Sequence, residues 1–132
     1  MTPLEAKNIV RKHIDRWKYL ATSYGWKFDI YYADNGHRMP SGNEDAAGVT
    51  FTQFQYLSAD IWFNLTKLSD CNESEIEEIV VHEITHMLIA PVQKDNNEQN
   101  VEYTTTVVSR LFLGLRATQC EDPKVHTKAK GK

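Results

Sequence analysis

Residues 76–91 read Ile76-Glu77-Glu78-Ile79-Val80-Val81-His82-Glu83-Ile84-Thr85-His86-Met87-Leu88-Ile89-Ala90-Pro91. Asn72 with Glu75 forms a capping signature just upstream, and Ile76, Ile79, Val80, Ile84, Met87 and Leu88 recur at helical spacing, so the stretch is predicted as a helix that Pro91 stops. A helix turns about 100° per residue, which stacks His82 and His86 on one face. Two imidazoles placed in this way reach one tetrahedral ion. Glu83 is too far round the helix to ligate that ion and close enough to hold a water bound to it. The flanking residues Ile79 to Val81 and Met87 to Ile89 are uncharged, so three polar side chains in this frame bear a full desolvation cost unless something binds them. The bland reading is two histidines capping a buried acid in a core helix.

Working outward, Thr2-Pro3-Leu4-Glu5 supplies a capping threonine, a proline at the first helical position and a glutamate three after the cap. Val10, Ile14, Trp17 and Ala21 then give one apolar stripe, ended by Ser23-Tyr24-Gly25, which predicts a helix to about residue 22. Trp26 to Tyr32 is aromatic and β-branched and reads as a first strand, followed by turn residues 33–36. Residues 36–48 show no periodicity and read as a loop of a length that is often functional. Val49 to Gln55 and Ile61 to Leu65 are two further strands, expected to pair with the first. Asn96-Asn97 can cap a last helix whose stripe is Val101, Thr105, Val108, Phe112 and Leu115. The charged end of the chain, 118–132, is expected to be a flexible tail.

The chain has 132 residues, 41% hydrophobic and 25% charged, the profile of one compact domain, placed at 1–117. No apolar run approaches the roughly 20 residues of a membrane span, and the first residues lack the pattern of a secretory signal, so a cytoplasmic location is expected. Cys71 and Cys120 form no Cys-x-x-Cys pair and read as free thiols. A net charge of −3 argues against a nucleic-acid partner. The acids concentrate in 69–102, where Lys94 is the sole basic residue. Residues 1–20 instead carry Lys7, Arg11, Lys12, Arg16 and Lys18, which read as an ordinary solvated helix face. No glycine-rich phosphate loop and no internal repeat is present. Trp17, Trp26 and Trp62 read as core.

His82-Glu83-x-x-His86 in its uncharged frame resembles the zincin metallopeptidases, and a glutamate on a following helix resembles their gluzincin branch, which takes a glutamate as third ligand. The resemblance spans roughly residues 26–115 as an order of elements and is specific over 79–90 and 98–110. The glycine and third histidine of the metzincin pattern do not follow His86. Short zincin-like proteins of phages and bacteria are the most similar, with a second helix that begins at a glutamate and ends in Ser/Ala-Arg-Leu; here that stretch runs from Glu102 to Ser109-Arg110-Leu111. The resemblance implies Zn²⁺ held by His82, His86 and Glu102. It further implies a zinc-bound water activated by Glu83, and peptide or protein substrates cut in the cytoplasm, that of the host if the protein is phage-encoded.

Glu98 competes with Glu102 for the third place. Asn97-Glu98-x-x-Val101-Glu102 is similar to the Asn-Glu-x-x-Ser-Asp pattern of thermolysin-like enzymes, and Glu98 lies nearer the centre of the apolar stripe by roughly 40°. The small polar residues Thr105, Thr106 and Ser109 extend on the side of Glu102, which is taken as the ligand, with Glu98 as a partner of a ligand histidine. No oxyanion donor stands out. His37, Tyr56 and Tyr103 are candidates whose bland readings are a solvated loop histidine and two packed aromatics; His13 and His126 are given no role. The alternative function is a zincin-like, metal-binding interaction module without turnover. The expected fold is α+β: an N-terminal helix, a sheet of about three strands over the motif helix, and a last helix bringing its glutamate under the metal. Strand 59–65 is expected at the sheet edge beside the cleft, where it can hydrogen-bond an extended peptide.

Overall fold

The computed structural model describes residues 1–34, 38–93 and 98–131, apart from the side chains at 54, 92, 93 and 117–131. The fold is α+β. Helix α1 (Pro3–Trp17) is opened by Thr2, whose hydroxyl accepts from the Glu5 N–H while the Glu5 carboxylate accepts from the Thr2 N–H. A single residue, Lys18, separates it from the short α2 (Tyr19–Thr22), so the predicted helix to residue 22 is interrupted once. Strand β1 (Lys27–Ala33) follows, then the loop, β2 (Gly48–Gln53), a 3-10 turn over Phe54–Tyr56, β3 (Ser58–Asn64) and the short α3 (Leu65–Leu68). Two long helices finish the chain, α4 (Glu73–Gln93) and α5 (Glu98–Gly131).

The sheet order is β1-β3-β2, with β1 parallel and β2 antiparallel to β3. Strand β3 is therefore central, and the expectation that 59–65 forms the edge beside the cleft is corrected: that edge is β2. The physical reason is hydrophobicity. Ala59, Ile61 and Phe63 of β3 are buried, whereas the Thr50, Thr52 and Gln53 side chains make β2 a strand that tolerates an open side. Ala59, Ile61 and Phe63 pack with Trp17, Leu68, Ile76, Val80 and Ile84 into one core between the sheet and α4. On the opposite sheet face Trp62 stacks against Tyr31 at 4.8 Å between ring centroids. Trp62 is thus half-buried on an open face, while Trp17 and Trp26 are core as expected.

One further expectation is corrected. Pro91 lies inside α4, which runs on to Gln93; a proline this close to the end forfeits one hydrogen bond, to the Met87 carbonyl, without blocking the last residues. The backbone of α5 is helical to Gly131; Glu121, Lys124, Lys128, Ala129 and Lys130 are good helix formers. The proposed cap Asn96-Asn97 lies outside the described residues, as do His37 and the side chains of Cys120 and His126. Cys71 is a free thiol. Among the described residues no helix is long and apolar enough to cross a membrane.

Candidate metal centre

Helix α4 carries the site because three elements pack around it: α1 on one side, α5 on another, and β2 across it. Arg116 approaches Glu77 and Thr105 approaches His86, so α5 runs antiparallel to α4. That pairing sets Glu102 opposite both histidines. Its Oε2 is 3.1 Å from His82 Nε2 and its Oε1 is 3.0 Å from His86 Nε2. His82, His86 and Glu102 offer three ligand atoms within 4.8 Å of one another, a group that can hold a metal ion. The three donors brought together include Glu102, the acid chosen from the resemblance and from the polar track of Thr105, Thr106 and Ser109, and Glu98 does not join them. Glu98 lines the same cleft and bonds to neither imidazole among the described residues.

A tetrahedral ion with bonds of about 2.0–2.2 Å has donor–donor edges of about 3.3 Å; each Glu102 oxygen lies near that distance from one imidazole nitrogen, and with one ligand atom per residue the three donors lie within 4.8 Å of one another. The donor set, two imidazole nitrogens and one carboxylate, fits a borderline ion such as zinc. No lysine or arginine makes an ion pair with Glu83 or Glu102 among the described residues. Burial, with His82 beside it, pushes the His86 imidazole below its ordinary pKa, towards the neutral form that ligates.

Glu83 is only 5% exposed. Burial pushes its carboxyl up to about 7, with Glu102 nearby adding to the rise and the Thr50 hydroxyl opposing it. Thr50 Oγ1 is 2.7 Å from Glu83 Oε1 and 3.1 Å from the Glu83 carbonyl. Its one proton is donated to the carboxylate when that is ionised, and is free for the carbonyl when the carboxyl holds a proton of its own. Gly48, two residues earlier on β2, lies directly over the same side chain: a Cβ there would meet Glu83 Cγ at 3.1 Å and Oε2 at 3.2 Å. Neither Thr50 nor Gly48 was found by sequence reasoning, since strand pairing and the height of β2 over α4 are not local properties.

The cleft has a volume of about 540 Å³, within the range of small-molecule and cofactor sites. Its walls include Asn43 and Ala46 from the loop, Val49 from β2, and Thr106 and Arg110 from α5. The loop thus does border the site, and Asn64 ties it down by donating its N–H to the Ala47 carbonyl and its side-chain amide to the Glu44 carbonyl. Tyr56 and Tyr103 are 74% and 73% exposed, and neither lines the cleft. They are neither packed aromatics nor placed as donors.

His13, given no role on sequence, is buried between α1 and α4. Its Nε2 is 3.1 Å from Glu73 Oε2 and its Nδ1 is 3.4 Å from Glu77 Oε2. The Trp17 indole N–H donates to Glu77 at 2.7 Å, and Lys12, Arg16 and Arg116 pair with the same two carboxylates. Its position beside Val10, Ile14 and Trp17 on the inward face of α1 was the available signal.

Compared with protein-family models, curated proteins and solved structures, the chain matches none.

Proposed function

We propose that the chain is a zinc-dependent metallopeptidase of the gluzincin type, with His82, His86 and Glu102 as ligands and Glu83 as general base. The observation that carries this reading is the convergence of those three donors in a cleft beside a buried glutamate. Zinc held there supplies Lewis acidity and lowers the pKa of water from about 15.7 towards 7. A Glu83 carboxyl near 7 is basic enough to take a proton from water and acidic enough to return it to a leaving amine. Thr50 accompanies it in both protonation states. Strand β2 supplies the peptide-binding element: its register with β3 pairs Val49 and Phe51 with Trp62 and Asp60 and turns the backbone groups of Gly48, Thr50 and Thr52 outward, where an extended peptide can add as a strand.

A second reading, a zincin-like metal-binding module without turnover, is favoured by one observation: among the described residues, no tyrosine and no third histidine lines the cleft. Zinc analysis of the purified protein, with hydrolysis of a mixed peptide library followed by mass spectrometry, tests the two together. The peptidase reading expects about one zinc per chain, and cleavage that falls by about 100-fold or more in Glu83→Gln while zinc is retained. Zinc without cleavage favours the second reading, and protein that takes up no zinc overturns both.

A further inference from the structure

Thr105 of α5 is fully buried one turn beyond Glu102 and faces His86. Its Oγ1 is 2.7 Å from the Val101 carbonyl and 3.3 Å from His86 Nδ1. A hydroxyl has one proton, and the shorter contact, to a carbonyl that can only accept, claims it. The lone pairs of Oγ1 are then turned to His86, where they can accept an N–H and nothing else.

We propose that Thr105 is a positioning residue that fixes the tautomer of His86, holding a proton on Nδ1 and so leaving Nε2, which faces Glu102 Oε1 at 3.0 Å, as the nitrogen that ligates an ion held between them. This rests on the proposed metal centre and deepens it. Glu98 was expected to orient a ligand histidine, and the described residues give it no such bond; a neutral hydroxyl on the neighbouring turn does the orienting instead. The difference has a chemical consequence. A carboxylate behind a ligand imidazole adds negative charge and basicity, whereas a threonine hydroxyl already committed to a backbone carbonyl sets ring orientation and tautomer without changing the charge of the centre. With Glu83 and Glu102 making no ion pair to lysine or arginine among the described residues, a third carboxylate behind His86 would raise the cost of the site in the absence of an ion. The chain Val101 carbonyl, Thr105 hydroxyl, His86 ring also ties the ligand to the backbone of α5, the helix that carries Glu102, so two ligands from different helices share one support.

The test compares Thr105→Val, which keeps the volume and removes the acceptor, with Thr105→Ser, which keeps the acceptor. Zinc affinity is measured by chelator competition, and circular dichroism checks each fold. Thr105→Val is expected to weaken zinc binding by about 10- to 100-fold, with Thr105→Ser close to the parent protein. Thr105→Val within twofold of the parent, or Thr105→Ser falling as far as Thr105→Val, overturns the inference and leaves the metal centre standing. A parent protein that binds no zinc overturns the centre as well. If Thr105→Val does not fold, long-range ¹H–¹⁵N spectra of the zinc-loaded parent decide. A protonated Nδ1 and a coordinated Nε2 on His86 support the inference, and the opposite tautomer overturns it.

Discussion

Helix α4 carries two histidine–carboxylate groups built from the same residue types and fitted for different ends. Near its start, His13 of α1 sits between Glu73 and Glu77, and Lys12, Arg16, Arg116 and the Trp17 indole complete the set. Two turns further on, His82 and His86 face Glu102, with Glu83 buried alongside and, among the described residues, no arginine or lysine paired to either acid. The first group is closed: its cations come from the chain, and its product is adhesion between helices. The second has carboxylates in excess and lone pairs that converge, which leaves room for a cation from outside. Charge balance, more than the presence of histidines, separates a structural cluster from a candidate metal centre.

The largest effect that could break this contrast is at Glu102. Glu102→Ala is expected to abolish stoichiometric zinc uptake, whereas Glu98→Ala retains it within about tenfold, both read by metal analysis after dialysis. The reverse order would return the ligand role to Glu98. Next comes Glu77→Ala, which strips the Trp17 indole N–H of its acceptor and removes the carboxylate beside His13 Nδ1, leaving a buried donor unpaired. A loss of about 3 kcal/mol is expected in urea unfolding, with zinc affinity unchanged if the closed cluster is purely structural.

Of similar size is the effect of ionising Glu83. Its folded pKa, about 7, is above that of the unfolded chain, so its contribution to stability is fully present below the unfolded value of about 4.3 and is lost as pH rises through 7. Chelator-treated Glu83→Gln is therefore expected to be more stable than the parent at pH 8, on the order of 3 kcal/mol, an advantage that disappears at pH 4. Equal pH profiles for the two proteins would show that the buried acid costs nothing. The smallest effect expected is that of Thr2→Ala. Loss of the capping box costs about 1 kcal/mol through α1 and the closed cluster alone, with zinc binding untouched.

The motif helix was legible because periodicity and capping are local: Asn72, Glu75 and the stripe from Ile76 to Leu88 announce it, and the spacing of His82 and His86 announces the site. Glu102 was legible only through the resemblance and the polar track of Thr105, Thr106 and Ser109, since the stripe of Val101, Val108, Phe112 and Leu115 leaned towards Glu98. The actual order of the strands was not, since Val49–Gln55 and Ile61–Leu65 have similar propensities and only burial of Ile61 and Phe63 against α4 puts β3 in the middle. His13 was given no role, and its angular position beside Val10 and Ile14 was the signal that places it inward. Thr50 and Thr105 stayed hidden because a threonine in a strand or a helix has no spacing that marks it as a partner of a residue 33 or 19 positions away.

The bare Cα of Gly48 over Glu83 and the hydroxyl of Thr50 beside it amount to a written signature that can be searched for. The backbone at 48 does not demand glycine by its dihedral angles, as it does at Gly25 and Gly42; the demand comes from a carboxylate 35 residues later in the chain. Proteins that preserve this buried acid should spell glycine, any residue, then serine or threonine on the strand that crosses the motif helix, while Val49 and Phe51 drift freely among residues suited to a strand. A profile that joins this three-residue word to the histidine motif some thirty positions on, with a glutamate sixteen beyond its last histidine, is more selective than the motif alone.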